Sequence, residues 1–116
     1  MVHPLGKPGE DFAAQCLTKQ GFQILARNFQ KRGFEIDLIA RKNNRIYFFE
    51  VKTYSEDSPV KAEEKITPAK INKLIKGAEY FLLTQERIDW GCLFELIKVE
   101  QSHNNFSSIV RVPIDF

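Results

Sequence analysis

Hydrophobic and polar residues alternate along two adjoining runs, Phe34–Arg41 and Arg45–Lys52, separated only by Lys42-Asn43-Asn44. Alternation with period two marks half-buried strands, and asparagine tolerates the left-handed backbone of a tight turn. The stretch therefore predicts a β-hairpin turning at Asn43-Asn44. In that register Asp37 lies directly opposite Glu50 and Glu35 opposite Lys52, all four on one face. The other face carries Phe34, Ile36, Leu38 and Ala40 against Tyr47, Phe49 and Val51, and must be buried. Ile39, Ile46 and Phe48 share the acidic face, so that face is partly covered as well.

Helical periodicity flanks the hairpin on both sides. A first helix is expected from about Pro8 to Gln20, with proline in its first turn and Gly21 as its stop. Ala13, Ala14 and Leu17 follow Glu10 at helical spacing, with Phe12 and Cys16 widening the stripe. Glu10 therefore stands at the head of the inward face. It is either a dipole-favoured acid of a first turn or a third carboxylate aimed at the hairpin. Phe22–Phe29 reads as a strand, and Gln30-Lys31-Arg32-Gly33 as a basic turn. A second helix starts with Thr67 as N-cap and Pro68 at its first position, its stripe being Ile71, Leu74, Ile75, Ala78, Phe81 and Leu82. Two strands should follow, Arg87–Val99 and Ser108–Ile114, joined by a polar turn at Gln101–Asn105. Pro113 suits an edge. Trp90, Phe94 and Phe106 read as core, and Thr53–Ile66 as a polar loop beside the hairpin.

Two opposed carboxylates on a partly covered face repel one another, and burial sharpens the conflict. A divalent cation bound by oxygen ligands would resolve it, so Asp37 and Glu50 suggest a metal site with Lys52 one step along. Taken singly, Glu50 and Lys52 read as a solvated strand face. Acid-x-Lys triplets are common at this composition, and Glu63-Glu64-Lys65 is another. Lys70 is unusual, because a cation in a first helical turn opposes the helix dipole. With Lys73 and Lys76 it forms a basic flank, either an exposed face or a phosphate-binding helix start. Arg27, Lys31, Arg32 and Arg41 form a scattered basic edge that could also touch phosphates.

Composition narrows the class. The 116 residues suffice for one domain with a substantial core, and 43% hydrophobic and 28% charged residues are ordinary for a soluble globule. No apolar run reaches membrane-spanning length and MVHPLGKPGE lacks the apolar core of a signal peptide, so a cytoplasmic location is expected. The net charge of +2 permits nucleic-acid binding without arguing for it. Cys16 and Cys92 lack metal-type spacing and are expected as buried thiols. His3 and His103 sit in polar segments and carry no ligand role.

The order helix–strand–hairpin–helix–strands, with Glu10, Asp37, Glu50-Val51-Lys52 and Lys70, resembles the PD-(D/E)xK nuclease superfamily. More narrowly, the chain resembles the small bacterial YraN-type family of endonuclease-like proteins, related to archaeal Holliday-junction resolvases. That likeness covers roughly residues 6 to 99. It rests on Gly9-Glu10, Gly21-Phe22, Arg27-Asn28, Glu35 through Ala40, Phe48 through Thr53, Ile66 through Lys70, Ala78 through Leu82, and Arg87-Ile88-Asp89. The chain departs from the family where Phe34 stands between Gly33 and Glu35, and where Tyr54 replaces a frequent arginine.

The resemblance implies an α/β, restriction-endonuclease-like mixed β-sheet flanked by helices, in the order α-β-β-β-α-β-β. It further implies an endonuclease using Mg²⁺ or Mn²⁺ and no small-molecule cofactor, acting on DNA, with branched DNA among its expected substrates. Asp37, Glu50 and the Val51 carbonyl would hold the metal, with Glu10 in support. Lys52 would orient the attacking water, and Lys70 would engage the scissile phosphate. Lys73, Lys76 and Arg41 are further candidates for DNA contact. A homodimer is expected by analogy with resolvases, since paired active sites suit paired cuts. The rival expectation is a non-catalytic nucleic-acid-binding or protein-assembly module on the same scaffold.

Overall fold

The computed structural model describes residues 8–55, 66–85, 91–103 and 105–115. Its first helix, α1 (Pro8–Lys19), buries Ala13 and Leu17. It stops one residue earlier than expected, and the chain leaves it through Gly21 at φ 97°. The Phe22 N–H donates to Leu17 O (3.0 Å) and the Gly21 N–H to Thr18 O (3.1 Å), a Schellman ending that requires the left-handed conformation glycine adopts without strain.

Five strands form one mixed sheet in the order β1 (Gln23–Lys31), β2 (Phe34–Lys42), β3 (Arg45–Ser55), β4 (Gly91–Ser102), β5 (Asn105–Pro113). Neighbours are antiparallel except β3 and β4. A parallel pair needs a crossover, and the chain between these two strands carries α2 (Pro68–Leu83). The element order is the expected one. Asn43 and Asn44 both have positive φ (53° and 61°), as a type I′ hairpin turn requires, and Lys42 pairs with Arg45 across it.

Each sheet face carries its own core. On the α1 side Ala13, Leu17, Phe22, Leu38, Ala40, Tyr47, Phe49, Ile97 and Val99 pack together. On the α2 side Ile36, Ile39, Ile46 and Phe48 meet Leu74, Ala78 and Phe81. One expectation fails here, because Phe34 and Ile36 do not share a face with Leu38 and Ala40. Phe34 lies over Phe29 and over Tyr80 of α2, with ring centroids 5.5 and 5.3 Å apart. The alternation breaks at Asp37. Arg27 pairs with Leu38 and Phe29 with Ile36, while Asn28 between them has φ 50°. A left-handed residue rotates the chain beyond it, so both strands turn over at this point and period two no longer holds through it.

Other boundaries shift as well. β1 runs through Lys31, leaving Arg32-Gly33 as the turn into β2. Ser102 pairs with Asn105, so most of the expected Gln101–Asn105 turn is strand. Pro113 closes β5 at an edge of the sheet, and the rings of Phe94 and Phe106 pack on Phe48 (5.3 Å) and Phe12 (5.4 Å). Cys16 is half-buried and Cys92 exposed, rather than both buried, because β4 enters the sheet through three exposed residues. Trp90, Arg87-Ile88-Asp89, His3, Glu63-Glu64-Lys65 and most of the expected loop after Ser55 lie outside the described residues. Among the described residues, no helix is long and apolar enough to cross a membrane.

Candidate functional site

The β2–β3 ladder runs from Lys42↔Arg45 only as far as Leu38↔Phe49. Asp37 and Glu50 sit just past its end, side by side at the opening of the strands rather than paired in the ladder. In place of a backbone bond, the Val51 N–H donates to Asp37 Oδ2 at 2.8 Å. β3 then continues beside β4 alone, as far as Ser55↔Gln101. The opening forms a cleft of about 370 Å³ whose walls come from four elements.

β2 contributes Glu35 and Asp37, and β3 contributes Glu50, Val51 and Thr53. The N-terminus of α1 brings Gly9 and Glu10, and that of α2 brings Lys70. α1 approaches β3 so closely that a Cβ at Gly9 would collide with Thr53 Oγ1 unless that side chain turned away. At α2 the Thr67 hydroxyl accepts from the Lys70 N–H (3.3 Å), setting the helix start and aiming the Lys70 side chain.

Three carboxylates of this cleft are withdrawn from water: Glu10 is 6% exposed, Asp37 5% and Glu50 8%. Burial penalises charge, so such a group needs a cation or strong donors close by. Lys70 supplies one, its Nζ lying 2.7 Å from Glu50 Oε2. The hydrogen bond to Glu50 pushes the Lys70 pKa above its ordinary range despite partial burial, and the charges of Glu50, Asp37 and Glu35 push the same way. The cation at the start of α2 is thereby explained: what it loses against the helix dipole is offset by the acids it faces.

The structure brings Glu10, Asp37, Glu50, Val51 and Lys70 to one place, although they come from both helices and two strands. Lys52 is half-buried one step beyond on the Glu50 face of β3, in register with Lys98, and does not line the cleft. Lys73 and Lys76 are exposed further along α2. Arg41 is not part of the site. It pairs with Gln23 and Ile46 at the far end of β2, roughly 13 Å along the strand from Asp37. Glu35 is the residue that pattern reading underrated: its spacing from Asp37 was the signal, and it reaches the cleft mouth with its side chain in solvent.

Hard carboxylate oxygens beside a backbone segment suit a small divalent cation rather than a soft metal. Among the described residues, no three Asp, Glu, His or Cys side chains converge tightly enough to ligate an ion unaided. The donor set offered is Asp37 and Glu50 with Val51 beside them, which leaves coordination positions for water or substrate, as Mg²⁺ prefers.

The sequence is similar to that of a UPF0102 protein of Syntrophomonas wolfei, at 39% identity over 113 residues covering 96% of this chain and 98% of the relative. A UPF0102 protein of Helicobacter hepaticus is 44% identical over 92 residues, covering 79% and 81%. One from Chlorobium limicola is 38% identical over 97 residues, covering 84% and 75%. The model of Uncharacterised protein family UPF0102 matches residues 9–99, a span from the glycine at the head of α1 through most of β4 that takes in every wall of the cleft. The chain belongs to the UPF0102 family, the YraN-type family its motifs resemble.

Proposed function

We propose that this protein is a metal-dependent DNA endonuclease on a restriction-endonuclease-like scaffold. The observation that carries the reading is the meeting of Glu10, Asp37 and Glu50, all buried, with Lys70 in a cleft between two helix N-termini. Mg²⁺ or Mn²⁺ would be held by Asp37 and Glu50 with the Val51 carbonyl, supported by Glu10. Such an ion polarises phosphoryl oxygen and makes bound water a nucleophile near neutral pH.

The remaining roles belong to the chain itself. Lys70 stands at the start of α2, where backbone N–H groups and the helix dipole favour a phosphate, so it binds the scissile group when it turns from Glu50. Lys52, one step beyond the cleft on the Glu50 face, would reach toward the attacking water and offset the negative charge that develops on the phosphoryl oxygens. Lys73 and Lys76, exposed on the same helix, add phosphate contacts away from the reacting centre. Branched DNA is the favoured substrate and a homodimer the favoured state, since two such clefts would cut two strands. The cytoplasm is the proposed place of action.

The test is to incubate the protein with labelled four-way, flap, single-stranded and linear duplex DNA in Mg²⁺, Mn²⁺ or EDTA, beside Glu50→Gln and Lys52→Ala. Metal-dependent cutting lost in both variants is the expected result. A second reading, a non-catalytic nucleic-acid-binding or assembly module, is favoured by the Lys70–Glu50 ion pair, in which the lysine itself compensates the Glu50 charge. DNA binding without cutting, unchanged in Glu50→Gln and in EDTA, would establish that reading and remove the nuclease.

A further inference from the structure

A second groove lies along the same strand. β3 carries Glu50, Lys52 and Tyr54 on one face at alternate positions, and the face does not change, because β3 pairs with β4 without a break from Arg45 to Ser55. Past Lys52 this line enters a groove of about 230 Å³ where Tyr54 and Ser55 meet Lys98, Gln101, Ser102 and Ser107. Lys98 is in register with Lys52 on the same face, so two lysines stand side by side between cleft and groove. A polyanion lying across β3 and β4 at this point meets both cations at once. α2 covers Ile36, Ile39, Ile46 and Phe48 on this side of the sheet, leaving the Lys98 stretch of β4 outside its core. Glu100 also lines the groove, in register with Tyr54, and its Oε2 accepts from Ser108 Oγ at 3.4 Å, toward β5.

We infer that this groove is a subsite for one unpaired nucleotide of the DNA strand that leaves the cleft. Lys98, beside Lys52, holds the phosphate; the Tyr54 ring stacks on the base; and Ser55, Gln101, Ser102 and Ser107 offer donors and acceptors to its edge. A base reaches an aromatic face only by leaving its own stack, as in single-stranded recognition generally. The subsite therefore selects DNA with a single-stranded segment beside the cut over continuous duplex. The inference rests on the cleft being a phosphodiester site, and it specifies the substrate that site takes.

Fluorescence anisotropy on DNA hairpins ending in a 3′ overhang, a 5′ overhang or a blunt end, with Ca²⁺ to hold back cutting, tests it. The wild type should bind one overhang probe at least about tenfold more tightly than the blunt one. Tyr54→Ala should weaken that overhang binding about tenfold and leave blunt binding unchanged, while Tyr54→Phe, which keeps the ring, should match the wild type. Lys98→Ala should lower the salt dependence of overhang binding by about one counterion, and serves as an independent variant should Tyr54→Ala unfold. Overhang binding unchanged in Tyr54→Ala and Lys98→Ala, or an equal loss on overhang and blunt probes, would overturn the subsite while leaving the cleft intact. A wild type that bound none of the probes would overturn both.

Discussion

Asp37 has two separable duties, and two substitutions divide them. Its Oδ2 accepts the Val51 N–H at 2.8 Å where the β2–β3 ladder has already ended, and it does so while 5% exposed. Its charge, together with those of Glu10, Glu35 and Glu50, makes the cleft acidic. Asp37→Asn keeps an acceptor oxygen and removes the charge; Asp37→Ala removes both. A part-buried N–H stripped of its acceptor costs about 1–3 kcal/mol. Both variants equally relieve repulsion among the carboxylates, so that effect cancels between them. Asp37→Ala should therefore be less stable than Asp37→Asn by about 1–2 kcal/mol, toward the lower end because cleft water can reach the orphaned donor. At roughly 2.1 cal/mol/K per residue, a chain of 116 residues melts about 4 °C lower per kcal/mol, which predicts a gap of about 4–8 °C. Thermal melts followed by circular dichroism in EDTA measure it. DNA cutting should be absent from both. Melting points within about 1 °C of each other would refute the idea that this carboxylate replaces a ladder bond.

The other predictions concern the supports of the site and the far end of the sheet. Lys70→Met should cost less than about 1 kcal/mol, because its side chain is 49% exposed and water screens the pair. Since the Lys70 pKa is raised in the fold, its contribution is fully present below the ordinary 10.5 and disappears as pH climbs past the raised value. Urea midpoints of wild type and Lys70→Met should accordingly converge in that alkaline range, and a constant gap would count against the ion pair. Gly77→Ala places a Cβ 2.7 Å from Ile36 Cδ1 and 3.1 Å from Phe34 Cδ1. Overpacking of about 1–3 kcal/mol exceeds the helix-propensity gain of about 1 kcal/mol, so the variant should lose stability and regain part of it when Ile36→Val is added. A Gly77→Ala protein with a higher urea midpoint than wild type would contradict the close packing of α2 on β2. Arg111 donates to both Glu95 oxygens (2.7 and 3.1 Å) and lies 5.0 Å from the Phe22 ring and 5.5 Å from that of Tyr47. Arg111→Ala should cost about 2–3 kcal/mol by stranding Glu95, which is 7% exposed, and Glu95→Gln added to it should recover about 1 kcal/mol. The urea midpoint of the double variant checks this, and failure to recover would place the cost in lost ring contacts instead.

Much of the architecture was legible locally. The hairpin could be read because period-two alternation and two asparagines at the turn are properties of neighbouring residues, and its register at Leu38↔Phe49 is the expected one. The helix starts could be read for the same reason: Pro8, Thr67 and Pro68 act within one turn of themselves. The neighbouring acids Asp37 and Glu50 also belonged to that local pattern, and so did the charge conflict between them. Long-range packing decided the rest. Asn28 in the left-handed region, opposite Asp37, sent Phe34 and Ile36 to the α2 face, and no period-two count includes such a reversal. The ladder's early end, which makes the cleft, depends on a side chain displacing a backbone partner across 14 residues of sequence. That Lys70 faces Glu50, and that Glu10 arrives from the opposite side of the sheet, results from where two helices dock. Sequence alone determined which charged side chains were at hand for a site, because charge and spacing are written in it. Only the tertiary structure decided which of them meet, because the free energy that seats each helix comes from apolar faces remote from the acids themselves.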